Sequence, residues 1–571
     1  MFVLDFENER MIFKNPQEIW VANTLEEVIP CLNQVQEAIN QGFYAVGYIA
    51  YEAAPAFDPK LTVKNGNRIP LLWFGLFKEP SADEFSITDK EFTLSEWVPS
   101  IGEKEYIQHI AAIKNAISNG ETYQVNYTIR LRSRFTGSDV AFYSHLRKFQ
   151  QGNYSAYLNL GRYRILSASP ELFFKVENGN IKVKPMKGTS KRGRWLEEDQ
   201  TQAEWLAKSE KNRAENVMIA DLLRSDLGKI AETGTVSVSE LFAIEKYPTV
   251  FQMVSQIEGK LRQDVSITDI FKSLFPCGSI TGAPKAKTME WIAELEDCPR
   301  DIYCGTIGLI KPSGEMIFNV AIRTVLLDMQ TGLAEFGAGG GVTWDSTADG
   351  EYEEAILKTA LLKEPQTEFE LLETMKLNND RYFLLHHHLN RLQKSAAYFG
   401  IPIDEKEVLD ALRQHADLHQ GETRRVRLLV SNNGGTHIES VPLSESPAYS
   451  LPIRIAKDPV SRFNRFLCHK TTFRTLYDRH RTENPGVFDI LLWNEEGEIT
   501  EFTFGNVVLE IGGKKLTPRL ESGLLAGTFR QYLIENGKIA EQVLKLEDLK
   551  LAERIWFINS VREWVPVYIV K

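Results

Sequence analysis

The period of the hydrophobic positions changes along the chain, and each change marks an element. Residues 104–118 and 209–228 space their apolar side chains as helices, with Ser209 placed to cap the second. In that helix Glu215 precedes Met218, Ile219 and Leu222 at i+3, i+4 and i+7, so a carboxylate shares the apolar stripe. Residues 171–177 alternate as a strand, Asn178-Gly179-Asn180 is a turn signal, and Ile181 to Lys184 alternate again. With a three-residue turn, Glu177 opposes Ile181 and Glu171 opposes Lys187. A two-residue turn shifts the pairing by one, and Pro185 can end it early. Residues 318–324 read as a strand that holds Arg323 among apolar neighbours, and 351–362 as a helix that Asp349 could cap. A further strand pattern covers 369–376, followed by a helix with the stripe Leu385, Leu389, Leu392, Ala396 and Phe399.

Short strands and helices alternate irregularly, which predicts an α+β fold rather than a regular doubly wound sheet. The 571 residues exceed one ordinary core and predict two or three domains. The clearest seam is the polar Lys363-Glu364-Pro365-Gln366-Thr367-Glu368, and a weaker one lies near 90–104. The expected division is therefore 1–364, with 1–95 as an N-terminal part and 104–364 as a catalytic part, a linker at 365–368, and a domain over 369–571. A net charge of −11, with no basic cluster interleaved with aromatics, gives no reason to expect a nucleic-acid partner. No stretch reaches the roughly 18 apolar residues of a membrane span, and the first residues lack a secretory signal pattern. The five cysteines are scattered and none forms a C-x-x-C pair, which points to a reducing cytoplasm rather than to disulfides or structural zinc.

Charged side chains on apolar faces carry the candidate chemistry. A buried carboxylate such as Glu215 must meet a cation or take up a proton, and a structural salt bridge would satisfy it equally. Glu351 and Glu354 share one face of their helix, and an oxygen-only trio with Glu215 favours Mg²⁺ over zinc. Lys187 and Glu171 bring an amine beside an acid, which as a mere surface pair would contribute ~0–1 kcal/mol. Arg323 is costly among apolar residues unless a carboxylate meets it. The run Gly337-Ala338-Gly339-Gly340-Gly341 permits close backbone approach to a ligand, as a plain tight turn also would.

Four motifs occur in order: Ser169-Pro170-Glu171, Ser209 to Asn216, Phe275-Pro276-Cys277-Gly278-Ser279-Ile280-Thr281-Gly282-Ala283-Pro284-Lys285 and Gly350-Glu351-Tyr352-Glu353-Glu354. The set resembles the chorismate-using enzymes, with an anthranilate-synthase-like β-sandwich flanked by helices. Lysine within Pro185-Met186-Lys187-Gly188-Thr189 is the mark of their aminodeoxychorismate type, where anthranilate synthases usually carry alanine. The resemblance implies that Glu215 and Glu354 hold Mg²⁺ with Glu351 close by. It also implies that Arg323, Tyr303, Thr281 and the backbone of Gly339 and Gly340 meet the substrate. Glu171 would act as general acid and Lys187 as nucleophile. Asn212 departs from the acidic residue common at its position. Ammonia would come from a separate glutamine amidotransferase subunit, since Cys31, Cys277, Cys298, Cys304 and Cys468 all lack a glutaminase context.

Beyond residue 369 the order of His387-His388-Leu389-Asn390-Arg391-Leu392, Lys470-Thr471-Thr472-Phe473-Arg474, Glu501, Thr528-Phe529 and Asn559-Ser560 resembles the fold-type-IV pyridoxal-phosphate enzymes. These include branched-chain and D-amino-acid aminotransferases and aminodeoxychorismate lyase, and their domain is again α+β. The resemblance implies that Lys470 joins the cofactor, pyridoxal 5'-phosphate, and that Glu501 pairs with its ring nitrogen. Arg391, Thr528, Phe529 and Ser560 would hold its phosphate, and a homodimer through this domain is compatible with it. Adjacent histidines do not share a helix face, so the 386–388 run is not expected to bind metal.

Together the halves imply a cytoplasmic bifunctional enzyme of folate-precursor synthesis. It would aminate chorismate to 4-amino-4-deoxychorismate and then release pyruvate to leave 4-aminobenzoate. An anthranilate-type synthase fused to an aminotransferase is the alternative. Lys187 and Gln252, where anthranilate synthases tend to carry histidine, weigh against it. A regulatory protein with dead sites is a third reading, opposed by the intact Glu171, Lys187, Glu215, Glu354, Lys470 and Glu501.

Overall fold

The computed structural model describes the chain except residues 84, 86–90, 151, 360, 361, 363–367, 445–448 and 571. Most of the expected linker at 365–368 therefore lies outside the described residues. The chain forms two compact units: Met1–Lys191 with Ala203–Gln366, and Arg192–Gln202 with Thr367–Lys571.

The first unit is built on two ten-stranded sheets. Strand alternation sets them face to face. Phe2, Leu4 and Phe6 of one sheet and Val46, Tyr48, Trp73, Ile307 and Leu309 of the other fill one core between them. The intervening residues of the same strands turn outward into separate cores. Ala45 and Ile49 pack with the helices Leu25–Asn40, Glu210–Gly228 and Ile267–Leu274, and Val3 packs against Asp139–Gln150. Helix Glu210–Gly228 starts where the capping signal places it, with the Ser209 hydroxyl accepting from the Asn212 N–H. Helix Ala348–Leu357 has Thr347 at its N-cap position, without a side-chain capping bond, and Asp349 lies inside its first turn.

The hairpin at 171–183 has the shorter turn. Glu177 pairs with Asn180 and Val176 with Ile181, so the three-residue reading is corrected by one position. Its second arm then leaves this partner. Met186–Lys191 pairs with Val250–Lys260, and Glu171 and Lys187 are not an opposed strand pair. Arg323 is not within a strand either: it stands between Met316–Val320 and Thr324–Asp328 with φ of 52°.

A buried ionic network fastens the strand Gln124–Gly137, the helix end at Glu296 and the loop after it. Glu296 accepts from the Thr128 N–H and hydroxyl at 3.1 and 2.7 Å and from Arg300 at 2.6 Å, with Arg130 at 3.3 Å. Arg300 also donates to the carbonyls of Ile280 and Asn126, both at 2.8 Å, and Arg130 stacks over Tyr303.

In the second unit a four-stranded sheet, Leu371–Asn378 flanked by Arg381–Tyr382 and Thr423–Val430, with Thr436–Pro442 outside, packs beneath helices Leu385–Phe399 and Glu405–Leu418. An eight-stranded mixed sheet follows, in which Leu451–Ile455 runs parallel to both Asp489–Trp493 and Glu563–Ile569.

Removing the Glu296 carboxylate would leave two buried guanidinium groups unpaired. Glu296→Ala is expected to lower the opening free energy of the Gln124–Gly137 amides by ~3–5 kcal/mol in native-state hydrogen exchange. Lys208→Ala, which breaks an exposed pair with Glu204, should cost under ~1 kcal/mol.

Candidate active sites

In the first unit the glycine-rich end of strand Leu333–Val342 forms the floor of a polar site. It pairs with Gln124–Gly137 along its whole length, but on the other edge its partner Thr324–Asp328 ends at Phe336. Among the described residues no strand covers that edge beyond Phe336, so its backbone groups there, apart from the Gly339 carbonyl that Lys358 meets, face no strand partner. Side chains on this stretch would collide with the site itself. A Cβ on Gly337 would lie 2.3 Å from the Tyr303 ring, and one on Gly340 would lie 3.0 Å from Glu351 Oε2. A Cβ on Gly341 would lie 2.1 Å from Gln124 Nε2 and 3.1 Å from Lys187 Nζ.

Lys187 is buried on Met186–Lys191, and the Asn216 amide of the neighbouring helix donates to its carbonyl at 3.2 Å. Burial lowers the Lys187 pKa, opposed by Glu215 and Glu171. Glu171 is pushed up to about 7 by burial, although the Ser279 hydroxyl donates to its Oε1 at 2.6 Å and Lys187 is close. Amine and acid thus share one enclosure, reached by a different route from direct strand opposition.

Burial first, and then neighbouring carboxylates against nearby lysines, raise the Glu215 pKa, and burial also raises that of Glu351. Glu351 accepts from the Ser346 hydroxyl at 2.6 Å. Glu354 is held down by Lys358, whose Nζ donates to it and to the Gly339 carbonyl, both at 2.7 Å. Among the described residues no three acidic, histidine or cysteine groups stand close enough to cage a metal. The expected trio lines one site but is partly neutralised by hydroxyl and ammonium partners. Asn212 donates to Ser209 Oγ within the helix cap.

Burial brings Arg323 down to about 10, and it donates to the Lys358 carbonyl at 2.6 Å. Tyr303 is buried beside Gly337. Thr281 is fully buried with its hydroxyl donating to the Cys277 carbonyl at 3.1 Å, so it braces the motif backbone.

Gln124, Ser279 and Lys358 were not singled out by sequence pattern. Both polar atoms of the Gln124 amide are buried with no hydrogen-bond partner, and Gly341 sets them beside Lys187. Such a group costs free energy unless a ligand meets it. A polar residue opening a strand in Gln124-Val125-Asn126 was its only signal.

The second unit gathers Lys470, Glu501, Arg391 and Arg474. Burial, Arg391 and Arg474 bring Lys470 down to about 7, against Glu373 and Glu501. Glu501 is pushed up to about 7 by burial, though it accepts from the Tyr477 hydroxyl at 2.7 Å and the Leu525 N–H at 3.1 Å. Arg391 reaches the loop before Thr528 by donating to the Ala526 carbonyl at 3.1 Å. It is held by buried Glu373 at 2.8 and 2.6 Å, a partner the sequence did not suggest. His388 bonds the same carboxylate at 2.6 Å, and burial lowers its pKa. Thr528 and Phe529 open helix Thr528–Glu535, whose N-cap Gly527 has no side chain to occupy their N–H groups. Ser560 is buried and bonds the Thr374 carbonyl at 3.4 Å. A buried lysine, a carboxylate opposite, and an arginine beside a helix start fit pyridoxal phosphate in charge and donor type.

Two known family models match the chain. The chorismate binding enzyme model matches residues 5–364, and the amino-transferase class IV model matches 370–570. The aminodeoxychorismate synthase component 1 of Salmonella typhimurium is 37% identical over 293 residues, covering 51% of this chain and 63% of its own length. The anthranilate synthase component 1 of Aquifex aeolicus is 36% identical over 287 residues, covering 50% and 58%. The chain thus spans less than two thirds of the length of these relatives. The crystal structure of anthranilate synthase component I from Streptococcus pneumoniae aligns with a TM-score of 0.51 at 25% identity, over 63% of this chain and 90% of that one. The chain belongs to the chorismate binding enzyme family, and its C-terminal part is a class IV amino-transferase domain.

Proposed function

We propose that the chain makes 4-aminobenzoate from chorismate in two steps, amination to 4-amino-4-deoxychorismate in the first unit and loss of pyruvate in the second. The observation that carries the first step is the shared burial of Lys187 and Glu171. Relatives of the aminodeoxychorismate and anthranilate types are almost equally similar, so the choice rests on Lys187. A Glu171 titrating at about 7 can carry a proton to the departing C4 hydroxyl at neutral pH. Lys187, with its pKa lowered, adds at C2 as that hydroxyl leaves. Ammonia then enters at C4 and expels the lysine. Arg323, Tyr303 and the open backbone of Gly339 and Gly340 would hold the substrate, on the firm base that Thr281 provides. Glu215 and Glu354, with Glu351 close by, would hold Mg²⁺. The support is a hard-oxygen donor set in which burial and like charge leave a demand for a cation.

Ammonia would come from a glutamine amidotransferase subunit. None of the five cysteines suits glutaminase chemistry: burial raises every thiol pKa, to about 12 at Cys277 and Cys468. Free thiols fit a reducing cytoplasm. No described helix is long and apolar enough to cross a membrane.

In the second unit Lys470, Glu501, Arg391, Thr528, Phe529 and Ser560 would hold pyridoxal phosphate, which supplies an electron sink for carbanionic chemistry. Lys470, poised at about 7, can take a proton and return it, while Arg391 and Arg474 restrain its charge. The buried Glu501 presents a carboxyl that a positively charged partner would ionise.

With chorismate, Mg²⁺ and ammonium, Lys187→Ala is expected to stop 4-amino-4-deoxychorismate formation, and Lys470→Ala to let that compound accumulate while 4-aminobenzoate and pyruvate vanish. Anthranilate as product would move the first unit to the other branch. Glu171 donates only when protonated, so the amination rate per un-ionised ammonia should fall as pH rises through about 7. Glu171→Gln should lose ~10²–10⁴-fold below pH 7 and flatten that profile, the difference shrinking as Glu171 ionises in the unmutated chain, and an unchanged profile would remove Glu171 as acid. EDTA should stop the first step and leave pyruvate release from supplied 4-amino-4-deoxychorismate intact.

A further inference from the structure

The second unit contains a segment that comes from far upstream in the sequence. Arg192–Gln202 follows the strand that carries Lys187, lies outside the matched class IV range of 370–570, and yet folds as part of the second unit. Its contacts there are specific. Arg192 makes a two-pronged pair with buried Asp199 at 2.7 Å on each arm and donates to the Tyr398 carbonyl at 2.9 Å, with its guanidinium 4.6 Å over the Tyr398 ring. The Tyr398 hydroxyl returns a bond to the Gly193 carbonyl at 2.7 Å. A Cβ on Gly193 would stand 2.2 Å from the Asp199 nitrogen, so only glycine allows this fold-back. Arg194 donates to the Glu521 carbonyl at 2.9 Å and pairs with Glu198 at 3.0 Å.

What the segment braces is the stretch that ends in Lys470. The His469 ring lies 4.3 Å from that of Tyr398 and faces the Arg194 backbone, and Ser395 fixes its Nδ1 at 3.0 Å. Cys468 feels the charges of Arg194 and Glu198. The charges that act most strongly on Lys470 itself are those of Arg391, Arg474, Glu373 and Glu501.

We propose that Arg192–Gln202 is a positioning element of the second active site: it clamps Tyr398 and, with it, the His469 ring, and thereby fixes the adjoining Lys470 among its charged neighbours. Tyr398 and Arg194 are positioning residues, not catalytic ones. The inference takes Lys470 as the reactive amine of the reading above, but concerns its placement, which exists with or without cofactor.

The test uses the full chain and the variants Tyr398→Phe, which removes only the hydroxyl held by Gly193, Arg194→Ala, and Arg194→Lys as the conservative rescue. Two midpoints are measured against pH: the rate of Lys470 acetylation in cofactor-free protein, read by mass spectrometry, and the visible absorbance after adding pyridoxal phosphate. Tyr398→Phe and Arg194→Ala should each move the acetylation midpoint by about one pH unit, a tenfold change in the lysine's protonation equilibrium. Pyruvate release should lose kcat about tenfold with KM unchanged, Arg194→Lys should recover most of both, and chorismate amination should be unaffected. If Arg194→Ala does not fold, Tyr398→Phe decides. Unchanged midpoints in the folded variants would overturn the proposal. An unmutated chain that takes up no pyridoxal phosphate would overturn the cofactor reading alone, because the acetylation midpoint still decides placement.

Discussion

The first site depends on the burial of Glu296 between two arginines. One carboxylate meets Arg130, Arg300 and both polar groups of Thr128, and Arg300 carries the connection on to the Ile280 and Asn126 carbonyls. These are the backbones of the strand beside the glycine run and of the motif that supplies Ser279. A buried ion pair is a weak source of net stability but a severe constraint on geometry, because any rearrangement strands a charge in low dielectric. The glycine floor, the Tyr303 ring under Arg130 and the Ser279 hydroxyl on Glu171 are therefore held to one arrangement.

The two units use the same physics for different chemistry. Each buries a lysine and so lowers its pKa, and each places nearby a buried carboxyl raised to about 7. What differs is the counter-charge. Around Lys187 the neighbours are mainly carboxylates, which keep part of its proton affinity; around Lys470 arginines push the other way. On the proposed reading, a nucleophile that is later expelled and an amine that shuttles protons would call for these different settings.

Much of this was legible in sequence. Helix 209–228 and its Ser209 cap followed from apolar spacing and one hydroxyl, and the sandwich flanked by helices followed from motif order. The position of Lys187 beside Glu171 was foreseen for an incomplete reason. The turn is one residue shorter, and the two meet because Met186–Lys191 pairs with a different strand, a long-range choice that local alternation does not encode. Arg323 looked like a strand residue because its neighbours are apolar, yet it occupies a left-handed break. Glu373 as the holder of Arg391, and the loan of Arg192–Gln202 to the second unit, left no periodic trace, since each is a contact between segments far apart in sequence.

The most direct test of the two-step account is the fate of ¹⁵N-ammonium supplied to the unmutated chain with chorismate, Mg²⁺ and pyridoxal phosphate. The account predicts 4-aminobenzoate labelled at its amine, with one pyruvate released for each molecule formed. Label appearing in 2-aminobenzoate, or persisting in 4-amino-4-deoxychorismate with no pyruvate, would contradict it.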